Sequence, residues 1–299
     1  MKMDLSILIV NWNTREMLRD CLTSLYDTIT DLEFETIVVD NNSTDGSQDM
    51  VRQSFPQVQL IENTENVGFA RANNQAIEAS QGRYVLLFNT DAFAQPGAIR
   101  AMLTYTDGYP DIGVAGAHLL NADGSFQASH TRFPTLWREF LILSGLGRLF
   151  FGKWYPSHGP DKSIAVTDAD YVEGACMLVR REALDQVGGL DEGFYMYAEE
   201  VDWCLRMRRA GWRVVYLPQT RIIHLGGGSS KGNKGNTRRE AMLYRSRVRF
   251  FRIHYGPVQA ALLKGLIYGF TAIKIVCHRL RRGRAVISWR ELRVALQEG

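Results

Sequence analysis

Three polar clusters stand directly behind apolar runs, where buried strands would end. Asn11-Trp12-Asn13 follows Leu5 to Val10, Asp40 to Ser47 follows Thr36 to Val39, and Asn89-Thr90-Asp91 follows Tyr84 to Phe88. A carboxylate at a sheet edge can accept hydrogen bonds from a base or a ribose, and a second can hold a hard divalent cation against a diphosphate. The stretch Asp40-Asn41-Asn42-Ser43-Thr44-Asp45-Gly46-Ser47 reads equally well as a helix cap with turn residues, since Ser43, Thr44 and Asp45 are good caps. Further on, Glu199-Glu200 places adjacent carboxylates at a predicted helix start. One of the two can be held by hydrogen bonds while its neighbour points into a cleft as a general base. The helix dipole alone would favour acids there, by about 0.3–1 kcal/mol. Asp202 and Arg206, four residues apart, predict an ion pair along the same helix.

Positioning these groups requires strands that end side by side. Residues 5–10, 36–39, 58–61 and 84–88 read as strands, with helices near 15–27, 46–54, 68–80 and 97–106 between and after them. Continuous apolar strands alternating with amphipathic helices predict a mostly parallel, Rossmann-like α/β sheet flanked by helices, with ligands bound beyond the carboxyl ends of the strands. Asn121-Ala122-Asp123-Gly124 predicts a hairpin turn. Residues 131–162, rich in aromatics, Gly and Pro, read as an irregular acceptor-side segment; regular structure resumes at 171–179, 199–210 and 213–217.

In this order the clusters resemble the family-2 glycosyltransferases of GT-A fold, in particular their rhamnosyltransferase-like branch. The resemblance covers roughly residues 4–228 and rests on Val39 to Gly46, Asn66 to Asn74, Asn89-Thr90-Asp91, Gly188 to Phe194, Glu199-Glu200-Val201-Asp202 with Arg206, and His224. It implies an inverting, metal-dependent transferase that draws on a dTDP- or UDP-linked sugar and serves a lipid-linked or glycan acceptor in cell-surface glycan synthesis. On the donor side it implies Val10, Asn11 and Asn13, then Asp40 in contact with the nucleobase, Asn42, Asn66 and Gly68 where a helix start approaches the donor, and Asn89 and Thr90. Asp91 matches the carboxylate that holds Mg2+ or Mn2+, with His224 completing the metal site. Asn89 stands where the family's acidic motif has its first Asp, which leaves one fewer charge for the metal. Glu200 matches the catalytic base, at a position where the family more often has Asp, with Glu199 beside it. Glu173, Gly174, Asp202 and Trp203 fall on the acceptor or sugar side, although core packing is the stronger reading for Trp203 and a buried structural role nearly as good a one for Glu173.

The net charge of +3 hides a strong polarity. Residues 1–220 carry 18 Lys and Arg against 29 Asp and Glu, a net −11, whereas residues 221–299 carry 17 against 3, a net +14. A catalytic domain over 1–236 followed by a basic, amphipathic helical region over 237–299 is therefore expected, with an anionic membrane surface as the partner of the second. The apolar run 258–277, interrupted by Gln259, Lys264 and Lys274, suits a helix lying in the interface better than one that spans, and an oligomer-forming helix is the remaining alternative. Arginines interleaved with so long an apolar run fit lipid, and no nucleic-acid motif accompanies them. No signal-peptide pattern precedes the first strand, and the four scattered cysteines show no metal-ligand spacing, so the expected setting is the cytoplasmic face of the cell membrane. The competing reading is a catalytically weak nucleotide-sugar-binding or scaffolding protein, motivated by Asn89.

Overall fold

The computed structural model describes residues 3–158, 165–226 and 235–281, together with Leu292, Arg293 and Leu296. Its first compact unit comprises Met1–Phe133, Ser157–Gly193 and Glu200–Ser229, and its second Pro134–Pro156, Phe194–Glu199 and Ser230–Gly299.

The first unit is built on one nine-stranded sheet. Strands β1 (Leu5–Asn11), β2 (Phe34–Asp40), β3 (Gln59–Glu62) and β4 (Tyr84–Phe88) form a parallel half in the order β3-β2-β1-β4. Helices α1 (Arg15–Thr28), α2 (Ser47–Ser54) and α3 (Phe69–Ala79) connect them. These boundaries lie within one or two residues of those expected at every element. Alternate residues of each strand enter opposite cores: Leu5, Ile7 and Ile9 pack with α1 and α2, while Leu8, Ile37 and Val85 pack with α3. Burial on both faces is what makes these strands read as unbroken apolar runs.

Beyond β4 the sheet becomes mixed. The short β5 (Ala92–Ala94) leads to α4 (Ala98–Gly108) and β6 (Ile112–Leu120), and β10 (Cys176–Arg180) then inserts antiparallel between β4 and β6. The Asn121–Gly124 turn forms as expected, closed by Gly124 N–H on the Asn121 carbonyl at 2.9 Å. Short strands β7 (His130–Thr131), β8 (Thr167–Asp168) and β9 (Tyr171–Val172) follow, then α7 (Arg181–Val187), α8 (Glu199–Arg209) and β11 (Arg213–His224). Strand β11 runs seven residues beyond its expected end. The register shift between Leu217 and Arg221 keeps it paired with β6 through its polar middle, which hides the continuation from an apolar-run reading. Cys21, Cys176 and Cys204 are buried free thiols.

The second unit corrects the reading of 131–162 as irregular. It holds two helices there, α5 (Leu136–Ser144), capped by Thr135, and α6 (Leu146–Phe151), joined at Gly145 with φ 77°. Four residues of that stretch, 159–162, lie outside the described residues. Helix α9 (Gly235–Arg281) is long and apolar enough, by length and composition, to cross a membrane. It breaks at Gly256 (φ 87°, ψ 172°), just before Pro257. Most of the Gly/Ser/Lys/Asn loop before it and the basic residues Arg282 and Arg284 after it lie outside the described residues.

Candidate active site

The parallel half of the sheet brings its loops to one edge. Asn11 and Asp40 are register partners at the carboxyl ends of β1 and β2. Asn11 Nδ2 donates to Asp40 Oδ2 at 2.6 Å and to Ser43 Oγ at 3.1 Å. The other Asp40 oxygen accepts from the Ser43 amide at 2.8 Å and from Gln48 Nε2 at 2.6 Å. Both oxygens of this 1% exposed carboxylate are thus engaged within its own loop. Asp40 orders the loop, whose exposed rim carries Asn13 and Asn42.

That rim depends on backbone conformations few residues tolerate. Asn13 and Asn42 sit in the left-handed region (φ 54° and 62°), where Asn is among the better non-glycine choices. Asn13 Oδ1 accepts the Thr44 amide at 2.8 Å, and its own amide donates to Ser43 Oγ at 2.8 Å, tying the first two loops together. Asn42 is exposed and Val10, paired with Val39, is half-buried. Gly68 at the start of α3 has φ 89° and ψ 173°, a region essentially closed to side chains. Asn66 Oδ1 accepts its amide at 3.0 Å, and its carbonyl accepts from Asn41 Nδ2 at 3.3 Å. Thr14 Oγ1 lies 2.7 Å from Asn11 Oδ1 and 3.2 Å from Thr90 Oγ1, linking the first loop to Asn89-Thr90-Asp91.

Asp91 meets His224 through strand pairing, because His224 ends β11 opposite Ala92 of β5. The Leu225 amide donates to the Asp91 carbonyl at 3.0 Å, and His224 Nε2 lies 3.2 Å from Asp91 Oδ1. Gln127 sets the imidazole. Its Nε2 donates to the His224 carbonyl and to Asn121 Oδ1, both at 3.0 Å, which turns its Oε1 toward His224 Nδ1 at 2.5 Å. An acceptor there places a proton on Nδ1, so that a neutral imidazole would present its Nε2 lone pair on the side of the carboxylate. Two ligands bound to one ion at about 2.0–2.2 Å sit about 3 Å apart when adjacent, so this pair suits a divalent cation. Among the described residues, no group of three or more His, Cys, Asp or Glu side chains gathers as a ready-made cation site.

A second acidic pair lies next to the Asn89 turn. The Asn89 amide donates to the Ala175 carbonyl at 3.1 Å, two residues past Glu173. A Cβ on Gly174 would lie 3.8 Å from Glu200 Cβ, an ordinary contact distance that brings the Glu173-Gly174 turn against the start of α8. Burial, and then the charge of Glu200, pushes the Glu173 carboxyl up to about 8 from an ordinary 4.5. Glu199 is buried and Glu200 half-buried. Just ahead of them Tyr197 and Ala198 are both left-handed (φ 71° and 66°), at roughly 1–3 kcal/mol each.

The remaining expectations divide. Asp202 and Arg206 form the predicted ion pair at 2.8 Å, and Arg206 also donates to the Gly189 carbonyl at 2.8 Å and to that of Val187 at 3.2 Å. With its side chain 2% exposed, Asp202 anchors α8 and does not face an acceptor. Trp203 is fully buried in the core, its Nε1 donating to the Gly188 carbonyl at 2.8 Å, so its acceptor-side placement is corrected to core packing. Sequence reasoning missed Thr14, Gln48 and Gln127. Gln48 follows the Asp40 loop within one helical turn, but Gln127 has no local signal, since only the β6–β11 pairing brings it to His224.

Residues 6–188 match Glycosyl transferase family 2. The N-acetylglucosaminyl-diphospho-decaprenol L-rhamnosyltransferase of Mycobacterium tuberculosis is 30% identical over 233 residues, covering 74% of this chain and 75% of that one. A low-salt glycan biosynthesis hexosyltransferase of Haloferax volcanii is 29% identical, covering 74% and 67%. In fold the chain is similar to a Pyrobaculum calidifontis mannosyltransferase solved with GDP-Man and Mn2+ (TM-score 0.56, 15% identity, 100% and 86% covered). The mixed sheet flanked by helices on both faces is a GT-A fold, and the chain belongs to glycosyl transferase family 2.

Proposed function

We propose that the enzyme transfers a sugar, rhamnose as the leading candidate, with inversion from a dTDP- or UDP-linked donor to a lipid-linked or glycan acceptor of the cell surface. The observation that carries this reading is the convergence of three groups: the Asn11–Asp40 loop network, the Asp91–His224 pair, and Glu200 beside the Asn89 turn. The Mycobacterium relative, named for L-rhamnosyl transfer onto a lipid-linked N-acetylglucosamine, supports the choice of sugar and acceptor class. In this reading the rim residues Asn13 and Asn42, with Asn66 and Gly68, receive the nucleotide, and Asp40 fixes their conformation. Asp91 and His224 would hold Mg2+ or Mn2+. Such a cation supplies charge neutralisation of the leaving diphosphate.

The acceptor hydroxyl attacks the anomeric carbon on the face opposite the diphosphate. A new carbon–oxygen bond forms as the bond to phosphate oxygen breaks, and Glu200 takes the hydroxyl proton. Glu173, kept protonated at neutral pH, can donate to a sugar hydroxyl without a second negative charge beside the base. Glu199 is held in the protein and positions its neighbour. The basic region from 237 onward would bring this chemistry to the anionic cytoplasmic face of the membrane, next to a lipid-linked acceptor.

Thermal shifts against UDP, dTDP and their sugar conjugates, with and without Mn2+, test the donor site. Asp91→Asn is expected to keep the fold and to lose the Mn2+-dependent part of donor binding, about tenfold or more in affinity, as for loss of one charged contact. An unchanged response to Mn2+ in that variant would remove Asp91 from the metal site.

A further inference from the structure

Nine of the thirteen large hydrophobic residues that stand exposed among the described residues belong to α5, α6 and α9, all within the second unit. The densest group is on α6, where Leu149, Phe150 and Phe151 are 74%, 68% and 64% exposed in succession. They are presented by a fixed support. Gly147 is buried because the Tyr155 ring lies where its Cβ would be, 2.2 Å away, and the Phe151 and Tyr155 rings stack at 5.4 Å. On α5, exposed Trp137 stacks on Phe140 at 5.4 Å, and Phe140 meets Phe270 of α9 edge-on at 5.7 Å. Basic side chains bracket the wedge, Arg148 before it and Lys153 after it, with Lys153 Nζ 4.5 Å from the Trp154 ring centre. Exposed Leu and Phe held between Arg and Lys on one short element is the composition that enters the headgroup region of a bilayer. A soluble partner would have no need of the flanking cations or of the +14 carried by residues 221–299.

We infer that α6 is a membrane-inserting wedge: Leu149, Phe150 and Phe151 enter the acyl boundary of an anionic bilayer while Arg148 and Lys153 meet its headgroups. It is a membrane contact separate from the basic region after 237, and it does not depend on the transfer chemistry. Full-length protein would be sedimented with vesicles of phosphatidylcholine alone and of phosphatidylcholine with phosphatidylglycerol. The L149S/F150S/F151S variant is expected to bind the anionic vesicles at least about tenfold more weakly than the wild type, with nucleotide thermal shifts unchanged. R148E/K153E, which leaves the apolar residues in place and so guards against a folding failure of the triple variant, is expected to weaken binding only when phosphatidylglycerol is present. Wild-type vesicle binding by both variants would overturn the inference. So would vesicle binding retained by a triple variant that turns from oligomer to monomer in lipid-free solution, since that outcome makes the patch an interface between copies of the chain.

Discussion

The Asp40 loop and the Glu173–Glu200 pair treat their carboxylates in opposite ways. Asp40 receives three donors across its two oxygens, Asn11 on one and the Ser43 amide and Gln48 on the other. Its charge is therefore solvated by the protein itself. Glu173 is placed instead against another acid, and burial with that charge lifts its carboxyl to about 8. The first arrangement stabilises a shape. The second holds a proton beside a candidate base, at a cost in stability when the proton leaves. Environments that push two carboxyl groups apart in acidity are how one site can hold both an acid and a base.

The sharpest way to break this contrast is at Glu200. Glu200→Gln keeps the shape but cannot take a proton, so sugar transfer should fall about 10²–10⁴-fold while donor affinity is spared. Near-normal transfer by that variant together with an inactive Glu199→Gln would move the base by one residue. At Asp40 the expected damage is of another kind. Asp40→Ala strands the Asn11 and Gln48 amides and the Ser43 N–H inside the loop, at about 3 kcal/mol of folding stability. Urea denaturation measures that loss, and donor binding should weaken alongside it because the rim loses its support. A variant as stable as the wild type would show that the network contributes nothing to the fold.

The two regions also differ in how far the sequence discloses them. Strands buried on both faces leave continuous apolar runs, so β1 to β4 and the polar residues behind them are legible from local pattern alone. The Asp202–Arg206 pair is legible for the same reason, a fixed spacing on one helix. Other features come from pairing between distant segments and have no local trace. Strand β10 enters antiparallel between β4 and β6, which sets Glu173 next to the Asn89 turn. The pairing of β11 with β5 and β6 carries His224 to Asp91 and Gln127. The left-handed Tyr197 and Ala198 are equally hidden, since neither residue type favours that conformation. In 131–162 the abundance of Gly and aromatics masked two short helices, one of which shows its apolar side outward.

The smallest effect, and the one that isolates the acid pair, is the pH dependence of stability at Glu173. Its carboxyl titrates near 4.5 in an unfolded chain and is raised to about 8 in the folded one. Between those values the folded protein retains a proton that the unfolded chain releases, so stability falls as pH rises across the window. The contribution is complete below about 4.5 and lost once the pH passes through about 8. Glu173→Gln fixes the neutral form at every pH and should remove this slope. Glu173 is partly open to solvent, which screens the interaction, so a difference of about 1 kcal/mol is expected, or about 2–4 °C in melting temperature. The test is the melting temperature of wild type and variant at pH 5.5 and at pH 8.5. Wild type should lose more on going to the higher pH, and the variant should gain on it there. Parallel behaviour of the two proteins would mean that Glu173 is already ionised at neutral pH, and the site would then carry two negative charges where the proposed chemistry needs one.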